Sequence, residues 1–197
     1  MVSPRRFCLE AVALEARIFT FGIAALTGRG RAPAGYAYAG NQPAVFALWT
    51  APLLLLPEMV LLDVLLRNAP AARLVSDALH VYLSIWAIGV IASLRAHPHR
   101  VANGTADLRL GPFMRAAIPL EAIASVAVRT APFDRATLRA LRADRALFAL
   151  PLGDRFVEIA LTAPVEVERR LHGPRRVARL LLSVDDPQAL AAALRAS

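Results

Sequence analysis

Two largely apolar stretches of the sequence contain five polar side chains that could do chemistry together: Glu58, Asp63, His80, Tyr82 and Ser84. The first stretch has no charged residue from 32 to 57 and continues to 66, and the second has none from 78 to 94. In an antiparallel helical hairpin, Glu58 would lie level with Tyr82 and Ser84, and Asp63 would lie level with His80. Ionisable groups within a membrane segment point to proton transfer, ion passage or acid catalysis. These five residues are the candidate intramembrane polar site.

A structural role for the same acids stays open. Asp63 can pair with Arg67 one helical turn further on. Glu58 can hydrogen-bond within the bundle or to the backbone freed by Pro57. The functional alternatives are a proton-linked or ion-linked carrier and a catalytic acid. Two spans give too little wall to enclose a path, so either of these alternatives requires a homo-oligomer.

A second polar cluster, Arg95, His97, His99 and Arg100, follows where the second apolar stretch ends. Metal binding needs several convergent ligands, and His-Pro-His supplies only two on an extended segment with no neighbouring cysteine or acid. The sequence therefore predicts no metal site here. The remaining interpretations are contact with anionic lipid headgroups and a solvated linker.

A basic stripe, Arg135, Arg139 and Arg142, repeats at i, i+4 and i+7 in the segment DRATLRALRADRA. As a helix it would present the basic amphipathic face that is typical of membrane-surface elements. A solvated loop, with Asp134 and Asp144 balancing the charge, explains the same residues. No aromatic residues are interleaved to stack on bases, so nucleic acid is not an expected partner.

The usual catalytic and cofactor motifs are absent from the sequence. It contains no glycine-rich phosphate loop, no GxSxG and no HExxH. Its single cysteine, Cys8, excludes an internal disulfide and a CxxC zinc site. We therefore expect no catalytic residue and no cofactor.

Composition divides the chain into an apolar first half and an amphipathic second half. Hydrophobic residues make up 57% of the 197 residues and charged residues 19%, which excludes disorder. An apolar helix of roughly 20 residues crosses the hydrocarbon core of a bilayer. The sequence predicts a domain of 32–97 that contains a transmembrane helical hairpin, at about 44–66 and 75–95. The alternative is the helical core of a soluble protein.

Residues 1–31 form a separate unit, with a helix at about 7–27. Glu10, Glu15 and Arg17 interrupt its apolar character. The helix either lies in the membrane interface, which the arginines at both of its ends favour, or spans the membrane with these polar residues facing the hairpin. The acids inside its apolar region argue against a cleaved signal sequence.

The arginines near the two spans predict an orientation. Residues 98–197 contain 15 arginines and 10 acids, whereas the connection between the spans contains Arg67 and Arg73. Because positive residues are retained on the cytoplasmic side, we expect residues 98–197 in the cytoplasm and the short connection outside.

Residues 98–197 are predicted to form an antiparallel β domain. Apolar and polar residues alternate, as in half-buried strands, in the segments 106–110, 113–119, 122–130, 156–162, 165–171 and 176–184. The side chains that this alternation points inward are Ile118, Ile123, Val126, Ile159 and Leu181. Asp186 and Pro187 then begin a closing helix at about 187–195, with the acid as N-cap and the proline as the first helical residue.

Two segments of this domain resemble bacterial pleckstrin-homology-like (PH-like) domains. The run Ile118 to Val126 is similar to the "IP…I.SV" segment of that family, and Asp186 to Leu194 is similar to its "D-P..L...L" closing helix. Together with the hairpin and the Arg95-to-Pro98 junction, residues 43–194 resemble uncharacterised bacterial integral membrane proteins that carry such a domain. The resemblance implies an α+β membrane protein of the bacterial cytoplasmic membrane, with an antiparallel PH-like barrel or sandwich closed by a C-terminal helix.

The combined expectation is an integral membrane protein of no assigned catalytic activity. It would anchor a cytoplasmic PH-like module that binds a protein partner or lipid headgroups, with the lipid bilayer as its other partner. A homo-oligomer is compatible with the sequence. The competing interpretation is a small oligomeric membrane carrier or enzyme that uses Glu58, Asp63 and His80.

Overall fold

The computed structural model describes residues 4–28, 34–36, 43–130, 146–149 and 155–196. It confirms the α+β class, because three helices precede an open antiparallel sheet and a fourth follows it. The helices are α1 (Pro4–Leu26), α2 (Pro43–Leu65), α3 (Pro70–Ala96) and α4 (Pro187–Arg195).

Helices α2 and α3 form a hairpin whose connection is residues 66–69. Along α2 the half-buried side chains recur at helical spacing, at Leu55, Met59 and Leu62, and this row packs against α3. Helix α3 begins earlier than the expected residue 75, because Pro70 with its fixed φ serves as a first helical residue. Among the described residues, one helix, α3, is long and apolar enough to cross a membrane.

Helix α1 packs against α3 through two glycines. A Cβ on Gly22 would lie 2.8 Å from the carbonyl oxygen of Ile85, and one on Gly89 would collide with the carbonyl oxygen of Ile18. Small residues let two helix backbones approach this closely. Since Ile18 meets Gly89 and Gly22 meets Ile85, the two helices run antiparallel.

In the described part of the chain, seven strands follow α3: β1 (Arg100–Ala102), β2 (Thr105–Leu110), β3 (Met114–Pro119), β4 (Ile123–Thr130), β5 (Ala146–Ala149), β6 (Arg155–Arg169) and β7 (Arg175–Leu182). Six of them pair antiparallel, in the order β1-β2-β3-β6-β7 with β4 also on β6, and β5 pairs parallel with β7. Asn103 and Gly104, both with positive φ, make the tight turn between β1 and β2.

The prediction of separate strands at 156–162 and 165–171 is wrong, because both lie in the single strand β6. The dipeptide Ala163-Pro164, which by itself indicates a turn, lies inside this strand. In the structure, Ala160 pairs with Arg179 and Val165 pairs with Val177, so four residues of β6 stand opposite one residue of β7. Such a bulge accommodates Pro164, which has no N–H to give to the ladder.

The core of the sheet follows the predicted alternation with one exception. Ile118 and Ile159 are fully buried, and Ile123 and Val126 are half-buried against the same core. Leu181 is also fully buried, but Ile159 pairs with Leu180. Leu181 therefore faces the opposite side of the sheet from Ile159.

Helix α4 covers one side of the core with Leu190, Ala191 and Leu194. Its N-cap is Asp186, whose carboxylate oxygen accepts a hydrogen bond from the backbone N–H of Ala189 at 2.9 Å. The predicted cap and the predicted proline at the first helical position are both confirmed.

Candidate functional site

The large apolar side chains that the described chain exposes all lie on its helices. Eighteen large apolar side chains are exposed there, and all of them lie between Phe7 and Leu83. None of the described β-domain residues adds to this set. The C-terminal third of α3, from Ala87 to Leu94, is mostly buried. The exposed apolar surface thus ends where the helices meet the sheet.

The five residues of the candidate intramembrane site do not come together in one place. Asp63 forms an ion pair with Arg73 across the hairpin connection, and not with Arg67 as considered from the sequence. Glu58 is exposed on α2. The two acids therefore have different surroundings.

The three candidate residues on α3 have separate surroundings. The hydroxyl of Tyr82 donates to the carboxylate of Glu15 on α1. His80 is buried, and its Nδ1 lies 2.7 Å from the carbonyl oxygen of Ser76. His80 and Ser84 share a largely apolar pocket of about 310 Å³ with residues of α1 and α2, including Leu26 and Met59. Of the five candidates, His80 and Ser84 therefore face the same cavity.

The polar cluster after α3 is packed into the protein at one position. His99 is 1% exposed, so it cannot contact lipid headgroups in this conformation, and it is not part of a solvated linker. The residue is held against the rest of the protein by its backbone, which exchanges hydrogen bonds of 2.8 and 2.9 Å with the backbone of Tyr36. His97 is half-buried, with its Nδ1 2.7 Å from the carbonyl oxygen of Ser93, whereas Arg95 and Arg100 are exposed.

Burial also changes the chemistry of His99. Its Nδ1 accepts a hydrogen bond from the backbone N–H of Arg109 at 3.1 Å, and its Nε2 is buried without a hydrogen-bond partner. Loss of solvation lowers the pKa of His99 to about 4, against a smaller opposing effect of the Asp107 charge. His99 is therefore a neutral, structural imidazole at pH 7.

The basic stripe Arg135, Arg139 and Arg142 lies outside the described residues. The two interpretations of that segment stay predictions. Among the described residues, no group of three or more His, Cys, Asp or Glu side chains is arranged to hold a metal ion.

A cleft of about 540 Å³ opens where α1, the end of α3 and the sheet meet. The β2–β3 turn, the end of β6 and the β6–β7 turn form one wall, and α1 and His97 form the other. An apolar cluster holds the walls together, with Leu14, Ile18 and Leu94 of the helices packed near Phe113 and Leu171 of the two turns. The carboxylate of Glu10 also accepts a hydrogen bond from the backbone N–H of Leu171 at 3.2 Å.

Arginines from four places in the chain line this cleft: Arg17, Arg109, Arg115, Arg169 and Arg170. The acids that line it are Glu10, Glu166 and Glu168. Arg109 and Arg115 both donate to Asp107, at 2.6 to 3.0 Å. Burial alone would raise the pKa of Asp107, but these hydrogen bonds and the two positive charges lower it overall. The guanidinium groups of Arg109 and Arg115 therefore share the single carboxylate of Asp107 as a counter-charge.

Arg169 differs from them, because its Nε–H is buried without an acceptor. Its Nη2 makes only a long contact, 3.5 Å, to the carbonyl oxygen of His172. Burial, together with the charge of Arg175, lowers the pKa of the Arg169 guanidinium. A buried donor without an acceptor is unfavourable unless something else accepts from it. The site thus has an unmatched positive group.

The sequence has one feature that marks Arg169 as unusual, although Arg169 was not among the predicted site residues. Val165 and Val167 occupy alternate positions on β6, and Arg169 is the next residue in that row, paired with the buried Met114. An arginine continuing an inward-facing row breaks the expected alternation. The residues that surround it come from α1 and the β2–β3 turn, far away in sequence, so the cleft itself was not predictable from local patterns. Comparison of the chain with protein-family models, curated proteins and solved structures returned no match.

Proposed function

We propose that this protein is a membrane-anchored binding module without catalytic activity. In this proposal, α1, α2 and α3 hold a PH-like β domain at the cytoplasmic face of the bacterial membrane, and the domain binds lipid headgroups. A protein partner is the second ligand class for such a module.

The distribution of exposed apolar side chains is the main support for a membrane anchor. Soluble proteins rarely expose contiguous apolar patches larger than a few hundred Å². Here all eighteen exposed large apolar side chains of the described residues are on the helices. The length and composition of α3 agree with a membrane span.

Lipid headgroups are favoured as the ligand by the place of the arginine-lined cleft. His97, which lines the cleft, directly follows the last residue of α3. If α3 crosses the bilayer, this cleft lies at the depth where the polar headgroups begin. Unpaired arginines at that depth suit anionic lipid.

The carrier or enzyme interpretation receives less support. It requires Glu58, Asp63 and His80 to act together. In the described chain Glu58 is exposed, Asp63 pairs with Arg73, and His80 faces a different, largely apolar pocket. Only a second copy of the chain could complete such a site.

Membrane fractionation and cysteine labelling test the anchor and its orientation. In a Cys8→Ser background, a cysteine at the exposed Ala71 should react with a membrane-impermeant maleimide in intact cells, and one at the exposed Asn103 should react only after lysis. The protein should stay with the membrane in alkaline carbonate. Release by carbonate, or labelling of Asn103→Cys from outside, would refute the anchor or its orientation respectively.

A further inference from the structure

We propose that the cleft between α1 and the sheet binds a phosphate group, held principally by Arg169 and assisted by Arg170 and Arg17. This inference rests on the proposed function and deepens it, because it assigns a site and a chemical class to the headgroup. The ligand class is a phosphate monoester or diester, carried by a lipid headgroup or by a soluble phosphate compound.

The position of Arg169 leaves one strong donor that an anion could satisfy. Its side chain starts from an inward-facing position of β6, opposite the buried Met114, and its Nε–H is buried without an acceptor. A phosphate oxygen is a strong acceptor for this donor. The guanidinium fork presents parallel N–H groups that match two oxygens of one phosphate.

The carboxylates that line the cleft do not form an ion pair with Arg169, and each has another neighbour. Glu168 stands opposite Arg115 in the β3–β6 pairing, and its charge acts on that arginine. Glu166 stands opposite Arg176 across β6 and β7. Glu10 accepts from the backbone of Leu171.

Three positive groups are consequently left without a counter-charge. Among the described residues, Arg17, Arg169 and Arg170 have no ion pair with a carboxylate within 4.0 Å. They come from α1, from the end of β6 and from the turn that follows it. An anion placed between them would be contacted from both walls of the cleft.

The volume of the cleft fits a phosphate with a small substituent. Small-molecule sites commonly measure roughly 300–1,000 Å³, and this cleft measures about 540 Å³. A bare phosphate would leave most of that space to water. The additional room suits the glycerol or alcohol part of a phosphate ester.

The test uses the full chain in non-ionic detergent and two probes. Inorganic phosphate is titrated at constant ionic strength and its binding followed by calorimetry. Phosphatidylglycerol is titrated separately, and lipid-bound protein is counted by native mass spectrometry, with phosphatidylcholine as the uncharged comparison. Arg169→Gln removes the charge at the site, and Arg155→Gln removes one charge from an exposed position at the other end of the same strand.

We expect at least one probe to bind one-to-one to the wild type and to Arg155→Gln. Its affinity for Arg169→Gln should be about ten- to hundredfold lower, the loss typical of charge-assisted hydrogen bonds. Binding of phosphatidylglycerol alone identifies a lipid diester as the ligand, whereas binding of phosphate alone identifies a soluble phosphate compound. One-to-one binding by neither probe, or equal weakening by both substitutions, overturns the proposal.

Two further measurements keep the result interpretable. Circular dichroism checks that Arg169→Gln is folded, and Arg170→Gln provides a second variant that should also weaken binding. Carbonate extraction reports on the anchor alone. Phosphate binding by a protein that carbonate releases would refute the anchor and keep the site, whereas a carbonate-resistant protein that binds neither probe would refute the site and keep the anchor.

Discussion

Acidification should destabilise the junction between the helices and the sheet through one buried side chain, His99. Burial lowers the pKa of this imidazole from 6.5 to about 4. In the unfolded chain His99 takes up a proton as the pH falls below 6.5, whereas in the folded protein it stays neutral until about pH 4. The stability that the neutral form contributes is therefore complete above pH 6.5 and is lost as the pH falls from 6.5 towards 4. The difference between 6.5 and about 4 corresponds to at most about 3 kcal/mol in the free energy of unfolding.

Two measurements on the full chain in non-ionic detergent test this value. The first follows the imidazole Cε1–H resonance of His99 by NMR, which should not shift between pH 7 and pH 5. The second compares denaturant unfolding of the wild type and of His99→Asn, whose amide oxygen can accept from the Arg109 N–H but does not titrate in this range. The wild type should lose more stability than the variant between pH 7 and pH 4.5, whereas His172→Asn, at an exposed histidine, should behave as the wild type does. Parallel stability curves for wild type and His99→Asn would refute the reasoning.

Three other substitutions have defined outcomes. Gly89→Leu should separate α1 from α3 and lower the unfolding temperature, because even a Cβ at this position collides with the backbone of Ile18. Ala78→Leu, at an exposed position of α3, should leave the unfolding temperature unchanged. Leu180→Ala should lower the free energy of unfolding by about 2–5 kcal/mol, which is the range for fully buried leucines. Denaturant unfolding measures this loss, and a loss below about 1 kcal/mol would contradict the place of Leu180 in the core. Glu58→Gln should leave membrane insertion, stability and cellular phenotype unchanged, because this side chain is exposed and the amide keeps its shape. A null phenotype would instead support the carrier interpretation.

Elements encoded by local pattern were predictable from the sequence. The closing helix is an example, because the cap Asp186, the proline after it and the apolar spacing all lie within ten residues of one another. The helical hairpin is another, since an apolar stretch of sufficient length indicates a helix whatever surrounds it. The prediction of strands was wrong at β6, which is one continuous strand and not two. Pro164 is a turn signal by itself, and only the partner strand β7 shows that it lies in a bulge.

Features that depend on distant contacts were not predictable. His99 was expected to lie at the lipid surface or in a linker because basic and polar residues surround it in sequence. In the fold, the backbone of His99 pairs with Tyr36, which lies 63 positions earlier. Leu181 was assigned to the same face as Ile159, and only the register of β6 against β7 places it on the other. A one-residue difference in register reverses every side chain of a strand.

The cleft is a property of the junction and not of either domain alone. Arg17 comes from α1, whereas Arg169 and Arg170 come from the sheet, so the distance between them is fixed only while α1 stays packed on α3 and on the two turns. The Glu10 bond to Leu171 and the Tyr36 bridge to His99 hold that arrangement from two sides. A module on a flexible tether would place Arg17 at no defined distance from Arg169. Changes that loosen the junction, such as Gly89→Leu or protonation of His99, should therefore weaken phosphate binding without altering any of the three arginines.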